Sequence, residues 1–213
     1  MYRSSSKLLV TLAVAFSAAC LSAQTADTKQ APAPAKKAKA PPLPGAGTGG
    51  NTPHATTSEV IGPNRANGSR VTVTYGRPFL KHPRTGEVRK VWGGLVPWDK
   101  ANRLGADEAT TLIAQHDLEI AGTKVPAGAY TLYIVPSESG TSKLAFSKKI
   151  GDWGVPVDEK NDLARFELKK ETIPATVEQL TIAIVNGPPE SLTGTIRISW
   201  ETTQFSLPFA VKK

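Results

Sequence analysis

The chain has 213 residues and carries 26 basic against 18 acidic residues, a net charge of +8 at neutral pH. Residues 24–50 hold four lysines and one aspartate, whereas residues 51–213 hold 20 basic and 17 acidic residues. Nucleic-acid binding needs basic residues clustered on a folded surface, so this distribution predicts no nucleic-acid partner. The single cysteine, Cys20, excludes a framework of intramolecular disulfides.

The N-terminus has the pattern of a signal peptide that spans residues 1–23. Arg3 and Lys7 precede an apolar run at residues 8–19, and small residues lead up to Ala23. We therefore predict export to the periplasm or beyond, with cleavage after Ala23. The alternative is a lipoprotein signal, in which Cys20 would carry a lipid anchor. The apolar run is too short for a membrane-spanning helix, and we expect no transmembrane segment.

Residues 24–54 form a low-complexity segment rich in proline, alanine, lysine and glycine. Such a composition buries too little apolar surface to offset the entropy of ordering, so it predicts a disordered linker. Gly45, Gly47 and Gly50 have the spacing of a nucleotide-binding loop. The strand and the helix that must flank such a loop are missing from the sequence pattern. We predict no cofactor.

From residue 55 onward the sequence alternates between apolar and polar residues, which indicates half-buried strands. Turn-forming pairs such as Asn67-Gly68 and Ala127-Gly128 separate the runs. This pattern predicts one all-β domain at residues 55–213, an antiparallel β-sandwich that is jelly-roll-like or similar. The apolar positions that define the predicted strands are Val71, Val73, Tyr75, Leu118, Ile120, Tyr130, Leu132, Ile134, Leu144, Phe146, Phe166, Leu168, Leu180, Ile182, Ile184, Ile196, Ile198, Trp200, Phe205, Leu207, Phe209 and Val211.

Two details of this domain are also predicted. One or two short helical turns are expected, near residues 99–104 and near residues 149–153, because neither segment alternates. The last apolar run contains Pro208, which lacks the N–H that a central strand must donate. We therefore predict that this run is an edge strand.

The segment Val91–Thr111 has poor helix or strand periodicity, yet it is rich in tryptophan, arginine, glycine and acidic residues. Functional groups tend to lie on such loops. Arginine offers a planar fork for carboxylate or phosphate, and tryptophan offers a flat face for sugars or cations. We predict a ligand-binding site in this segment and at the end of the preceding strand, formed by Tyr75, Arg77, Trp92, Trp98, Arg103, Asp107 and Glu108.

A structural role for the same residues is the alternative. Arg103 paired with Asp107 or Glu108 would pin the loop, because a buried arginine must be satisfied whether or not a ligand is bound. Trp92 and Trp98 would then plug one end of the sandwich. Both interpretations stay open at this point.

Other kinds of site lack the residues they need. The histidines His54, His82 and His116 are far apart, and no cysteine pair is present, so we predict no metal site. The sequence has no GxSxG motif for a serine hydrolase, and we assign no catalytic residue.

Four ordered motifs carry a resemblance to a known family. They are VTYGRP at residues 73–78, GGLVPW at 93–98, RLGADEATT at 103–111 and VPAGAYTL at 125–132. In these motifs the chain resembles the DUF2911 family of exported bacterial proteins. The resemblance implies export and a compact β fold, and it supplies no catalytic residues.

We therefore expect a non-catalytic binding or accessory module of the bacterial cell envelope. Its partner would be a small polar or anionic ligand, or an envelope component. One alternative is a hydrolase of cell-wall or polysaccharide material, with Glu108 as acid or base and Asp107 as its helper. A further alternative is a purely structural envelope protein held near a surface by its basic tail.

Overall fold

The computed structural model describes residues 52–213, so the predicted signal peptide and nearly all of the predicted linker lie outside the described residues. This part of the chain forms eleven strands and one 3-10 helix of three residues, Glu159–Asn161. The strands are β1 (His54–Ile61), β2 (Ser69–Gly76), β3 (Asn102–Arg103), β4 (Thr110–Ala114), β5 (Asp117–Ile120), β6 (Thr123–Val125), β7 (Gly128–Val135), β8 (Lys143–Ser147), β9 (Asp162–Glu167), β10 (Lys169–Asn186) and β11 (Thr193–Lys212).

The strands form two antiparallel sheets. The larger sheet has the order β1-β2-β4-β7-β8-β9, and β3 also pairs with β7. The smaller sheet has the order β10-β11-β5-β6. The predicted all-β class and the sandwich of two sheets are thus confirmed. Strand β1 begins at His54, one residue before the predicted start of the domain.

The core lies between the sheets because the alternating residues of each strand divide between an inner and an outer face. In β2, Val71 and Val73 are fully buried, and in β11 Ile196 and Ile198 are fully buried as well. The outward threonines of β2 pair with β1 instead, where the hydroxyl of Thr56 lies 3.0 Å from that of Thr74. One hydrophobic cluster therefore joins both sheets.

The loop between β3 and β4 leaves the larger sheet and returns to it beside the same strand. Arg103 pairs with Tyr133 of β7, and Thr110 pairs with the adjacent Leu132. Six residues, 104–109, therefore protrude between two successive pairs on β7. The hydroxyl of Thr110 donates to the carbonyl of Leu104 and closes the neck of this protrusion.

Gly76 is required beside this protrusion because the backbone of residues 105 and 106 passes directly over it. A Cβ on Gly76 would overlap the carbonyl group of Ala106. The glycine of the YGRP motif is therefore explained by close packing of backbone on backbone.

The predicted helical turns at residues 99–104 and 149–153 are wrong. Strand β3 occupies part of the first segment, and the second consists of irregular loop with bends. Neither segment is helical because each contains a positive φ, 56° at Asp99 and 81° at Gly151, which a right-handed helix excludes. In the described residues, the short helix lies instead at Glu159–Asn161, and no helix there is long and apolar enough to cross a membrane.

The predicted edge position of the last strand is also wrong, because β11 lies between β10 and β5 in the smaller sheet. Its pairing changes near the proline. Ser206 forms the last pair with β10, and Ala210 forms the first pair with β5. Pro208 lies in this gap, where the ladder needs no N–H from it.

Candidate functional site

A cavity of about 340 Å³ lies between the two sheets at one end of the domain. We call it the end cavity. Residues of β3 and β7 from the larger sheet and of β10 and β11 from the smaller sheet contribute to it, together with three loops. Its lining comprises Thr52, Pro78, Phe79, Pro83, Arg89, Trp92, Leu95, Val96, Asn102, Arg103, Leu104, Gly105, Ala106, Ile134, Val155, Leu180 and Trp200.

Trp92 forms part of the aromatic wall of the end cavity. Its ring meets the rings of Trp200 and Phe205 edge to face, with centroids 6.5 and 5.0 Å away. The loop that carries Trp92 is anchored by Glu201, whose carboxylate accepts a hydrogen bond from the N–H of Val91 at 3.2 Å. Glu201 lies at a register shift between β10 and β11, with a φ of 53°. A β-bulge therefore positions this wall.

Tyr75 and Arg77 do not line the end cavity, because their side chains bridge the two sheets. The hydroxyl of Tyr75 donates to the carbonyl of Ile182 at 3.1 Å and accepts from the N–H of Ile182 at 2.8 Å. The Nε of Arg77 donates to the carbonyl of Leu180 at 3.1 Å. The backbone then continues along β10, where Phe79 forms an isolated bridge with Gln179.

This arrangement covers the free edge of β10, which is the first strand of the smaller sheet. Exposed edges offer unpaired N–H and C=O groups to other chains, and folded proteins commonly cover them. The YGRP motif therefore has a structural role in this fold, because the side chains of Tyr75 and Arg77 and then the backbone itself pair with the edge of β10.

Arg103 lines the end cavity, but it does not form the predicted salt bridge with Asp107 or Glu108 within the described residues. Its guanidinium donates instead to two backbone carbonyls, those of Asp107 and Trp153, the latter at 3.2 Å. It also lies over the ring of Trp153, 5.4 Å from the centroid. The arginine thus joins the β3–β4 protrusion to the loop that precedes the 3-10 helix.

Asp107 and Glu108 lie on the same side of the chain, although adjacent residues of an extended strand point to opposite faces. The φ of 62° at Asp107 turns the backbone and brings both carboxylates towards His54. The Nε2 of His54 lies 2.9 Å from Glu108 Oε2 and 3.8 Å from Asp107 Oδ2. These three residues lie outside the lining of the end cavity.

The pKa of Glu108 is lowered, first by a hydrogen bond from its own backbone N–H and then by the hydrogen bond to His54. Its side chain is 67% exposed. A lowered pKa keeps this carboxyl ionised at neutral pH, whereas a general acid needs a raised pKa. Glu108 is therefore poorly suited to donate a proton to a leaving group.

Trp98 also lies away from the end cavity. Its ring is half-buried and packs against the core. The Nζ of Lys170 lies over this ring, 5.0 Å from the ring centroid. A side chain on Gly93 would overlap the Trp98 indole. The tryptophan therefore covers the start of its own loop.

Two cavity residues were not predicted from the sequence, and both carry polar groups without partners. Arg89 follows a small hairpin closed by the bridge between Lys81 and Val88. Among the described residues, its Nε and the Nε1 of Trp200 are buried with no hydrogen-bond partner. Alternation had indicated only that Trp200 faces the core, and an unsatisfied donor leaves no signal in a sequence.

A metal ion is not supported by the side chains in residues 52–213. No group of three or more histidine, cysteine, aspartate or glutamate residues is placed there to hold one. The end cavity itself is lined by two arginines and mostly apolar residues, a composition that suits an organic ligand better than a cation.

Arg103→Ala is expected to lower the free energy of unfolding by about 1–3 kcal/mol, because two backbone carbonyls lose their donor. Urea denaturation of the purified domain measures this loss. Arg84→Ala is the matched control, because Arg84 is exposed and does not line the end cavity. Equal stability of the two variants would contradict the anchoring role of Arg103.

The fold and the cavity together define an antiparallel β-sandwich domain with a partly open cavity at one end. Residues 53–209 match the family described as "Protein of unknown function (DUF2911)", and the chain belongs to that family. No curated protein and no solved structure matches the chain.

Proposed function

We propose that this domain is a non-catalytic binding module of the bacterial cell envelope, and that a small organic ligand occupies the end cavity. The cavity itself carries the proposal. Its volume of about 340 Å³ falls within the range of roughly 300–1,000 Å³ that is common for small-molecule pockets. Its lining combines apolar side chains with a few polar groups, which is the usual composition of such sites.

The location outside the cytoplasm rests on the sequence. Arg3, Lys7, the apolar run at residues 8–19 and the small residues before Ala23 favour export. The linker composition of residues 24–54 would then separate the binding domain from the site of cleavage or lipid attachment.

Two observations favour binding over the alternative of a hydrolase. Asp107 and Glu108 do not line the end cavity, so a ligand held there would not contact them. The lowered pKa of Glu108 also opposes a role as general acid. Their shared contact with His54 has a simpler interpretation, because it attaches the start of β1 to the β3–β4 protrusion.

The end cavity can be blocked at its rim without disturbing the core. Leu95 lines the cavity and is 43% exposed. We expect Leu95→Trp to weaken binding of the uncharged dye N-phenyl-1-naphthylamine by about tenfold or more, because the larger side chain occupies the entrance. The increase in dye fluorescence on titration measures the affinity.

Val88→Trp is the matched control for that experiment. Val88 is also an exposed apolar residue of the same region, but it does not line the end cavity. Its variant should bind the dye as the unmodified protein does. Failure of the unmodified protein to bind the dye, or equal loss in both variants, would contradict binding in the end cavity.

A further inference from the structure

Exposed apolar side chains concentrate around the mouth of the end cavity. Of the seven large hydrophobic residues that are exposed in the described part of the chain, six lie in segments 79–95 and 150–155, and Ile113 lies elsewhere. An apolar surface that the fold leaves open commonly marks a contact with a membrane or with another protein. Three of the six residues line the end cavity, namely Phe79, Leu95 and Val155.

This apolar surface continues beyond the cavity lining on two sides. Val88 is 66% exposed and belongs to the hairpin whose Pro83 lines the cavity. Trp153 is 54% exposed and borders, together with Val155, an open groove beside the cavity. We call the exposed side chains of residues 79–100 and 153–155 the mouth surface.

Positive charge surrounds the apolar side chains of the mouth surface. Residues 79–100 hold five basic and two acidic residues, whereas the rest of residues 51–213 holds equal numbers of both. The excess of positive charge on the domain therefore lies entirely in this segment. None of the five cations forms a salt bridge within the described residues. Four of them are exposed: Lys81, Arg84, Lys90 and Lys100.

The chemistry of an anionic lipid surface complements both properties of the mouth surface. Apolar side chains enter the boundary between headgroups and acyl chains, while neighbouring lysines and arginines are attracted to the anionic headgroups. Tryptophan favours this depth, and Trp153 is the most exposed of the four tryptophans. A second copy of the chain fits less well, because a symmetric contact would place the same cations against one another.

We propose that the mouth surface docks on an anionic phospholipid bilayer. Val88, Leu95 and Trp153 enter the interface, and the surrounding cations contact the headgroups. This proposal goes beyond the binding of a small ligand, because docking needs no ligand in the end cavity.

Cosedimentation with vesicles tests the role of charge in docking. The purified protein should bind vesicles of phosphatidylglycerol and phosphatidylcholine in equal parts about tenfold or more tightly than vesicles of phosphatidylcholine alone. Arg84→Gln combined with Lys90→Gln should weaken binding to the mixed vesicles about tenfold or more, because each cation near an anionic surface contributes about fivefold in affinity.

Arg65→Gln combined with Arg70→Gln is the matched control for this double variant. Both arginines are exposed, and they lie near the turn between β1 and β2. This turn precedes β2, whereas the cavity residues Pro78 and Phe79 follow it, so the length of the strand separates them by about 20 Å. The control loses the same charge and keeps the basic linker, and it should bind the mixed vesicles as the unmodified protein does.

Val88→Ser tests the apolar part of the mouth surface. It should weaken binding to the mixed vesicles about threefold or more, because less apolar area leaves water. Ile113→Ser is its control, since Ile113 is 52% exposed on β4 and should not contact the vesicle. Neither residue lines the end cavity, so both variants should still bind N-phenyl-1-naphthylamine.

Tryptophan fluorescence distinguishes insertion into lipid from attraction by charge alone. The emission of the unmodified protein should shift to shorter wavelength on addition of the mixed vesicles, because an exposed indole leaves water. Trp153→Phe should lose this shift. Melting curves of each variant show whether it is folded, and the shift of the unmodified protein needs no variant.

Several results would overturn the proposal. Absence of vesicle binding or of the fluorescence shift would do so, as would equal affinities of the two double variants, since linker or net charge would then explain binding. Equal affinity for soluble polyglutamate would assign the surface to an acidic protein, and a dimer that Val88→Ser abolishes would assign it to a second copy. Dye binding is independent of these outcomes: its absence contradicts the proposed function and leaves docking unaffected.

Discussion

Trp92→Ala is expected to destabilise the domain by about 3–5 kcal/mol, the usual cost of removing a large buried aromatic side chain. Trp92 is 6% exposed and packs edge to face on Trp200 and Phe205. Its removal would join the vacated volume to the end cavity, so the surrounding core could not close over it. Thermal unfolding should show a fall in melting temperature on the order of 10 °C for a domain of this size.

Trp153→Ala is the control for this variant. Trp153 is 54% exposed, and the guanidinium of Arg103 lies above its ring. An exposed contact of this kind contributes about 0.5–1 kcal/mol. Similar losses in the two variants would show that Trp92 is not part of a packed core.

Tyr75→Phe is expected to cost about 2–4 kcal/mol, although it removes a single oxygen atom, because two buried backbone groups lose their partner at once. The Tyr75 hydroxyl both donates to and accepts from Ile182. Since β10 is at the edge of its sheet, no neighbouring strand replaces the hydroxyl. Guanidinium chloride denaturation should show a lower midpoint with an unchanged slope.

Tyr130→Phe tests the same chemistry with a smaller expected effect. The Tyr130 hydroxyl makes one hydrogen bond, to the carbonyl of Pro126 at 2.7 Å, in a partly buried position. Its loss should cost about 1 kcal/mol. If Tyr75→Phe is as mild as Tyr130→Phe, the bridge between the sheets contributes little to stability.

The strands that could be predicted are those with one apolar face. β2 and β11 alternate clearly because one side of each contacts the core. β1 and the first half of β10 left no such signal. Only Ile61 is buried in β1, and no residue of 169–177 is buried, so pairing rather than burial holds these segments in the sheets.

The last two predicted runs are a single strand for a related reason. The apolar set that ends at Trp200 and the set that begins at Phe205 belong to β11, with the register shift at Glu201 between them. One irregular residue interrupts the alternation without ending the strand. A pattern based on a period of two cannot distinguish such a bulge from a turn.

The candidate site could be predicted only in part. Trp92 and Arg103 do line the end cavity, and they belong to the loop that its composition singled out. Tyr75 and Arg77 are close in sequence to cavity residues, yet their partners are Ile182 and Leu180, which only the packing of two sheets brings near. The unpartnered donors on Arg89 and Trp200 could not be predicted from the sequence, because only the hydrogen bonds of the folded domain show which buried groups lack a partner.

The protrusion at residues 104–109 has a consequence for how this family of domains can change. Its two ends pair with neighbouring residues of β7, so its length does not set the register of any strand. Insertions at its tip, beyond the contact between Ala106 and Gly76, would leave both ladders intact. Natural variation can therefore remodel this rim of the end cavity while the scaffold stays constant.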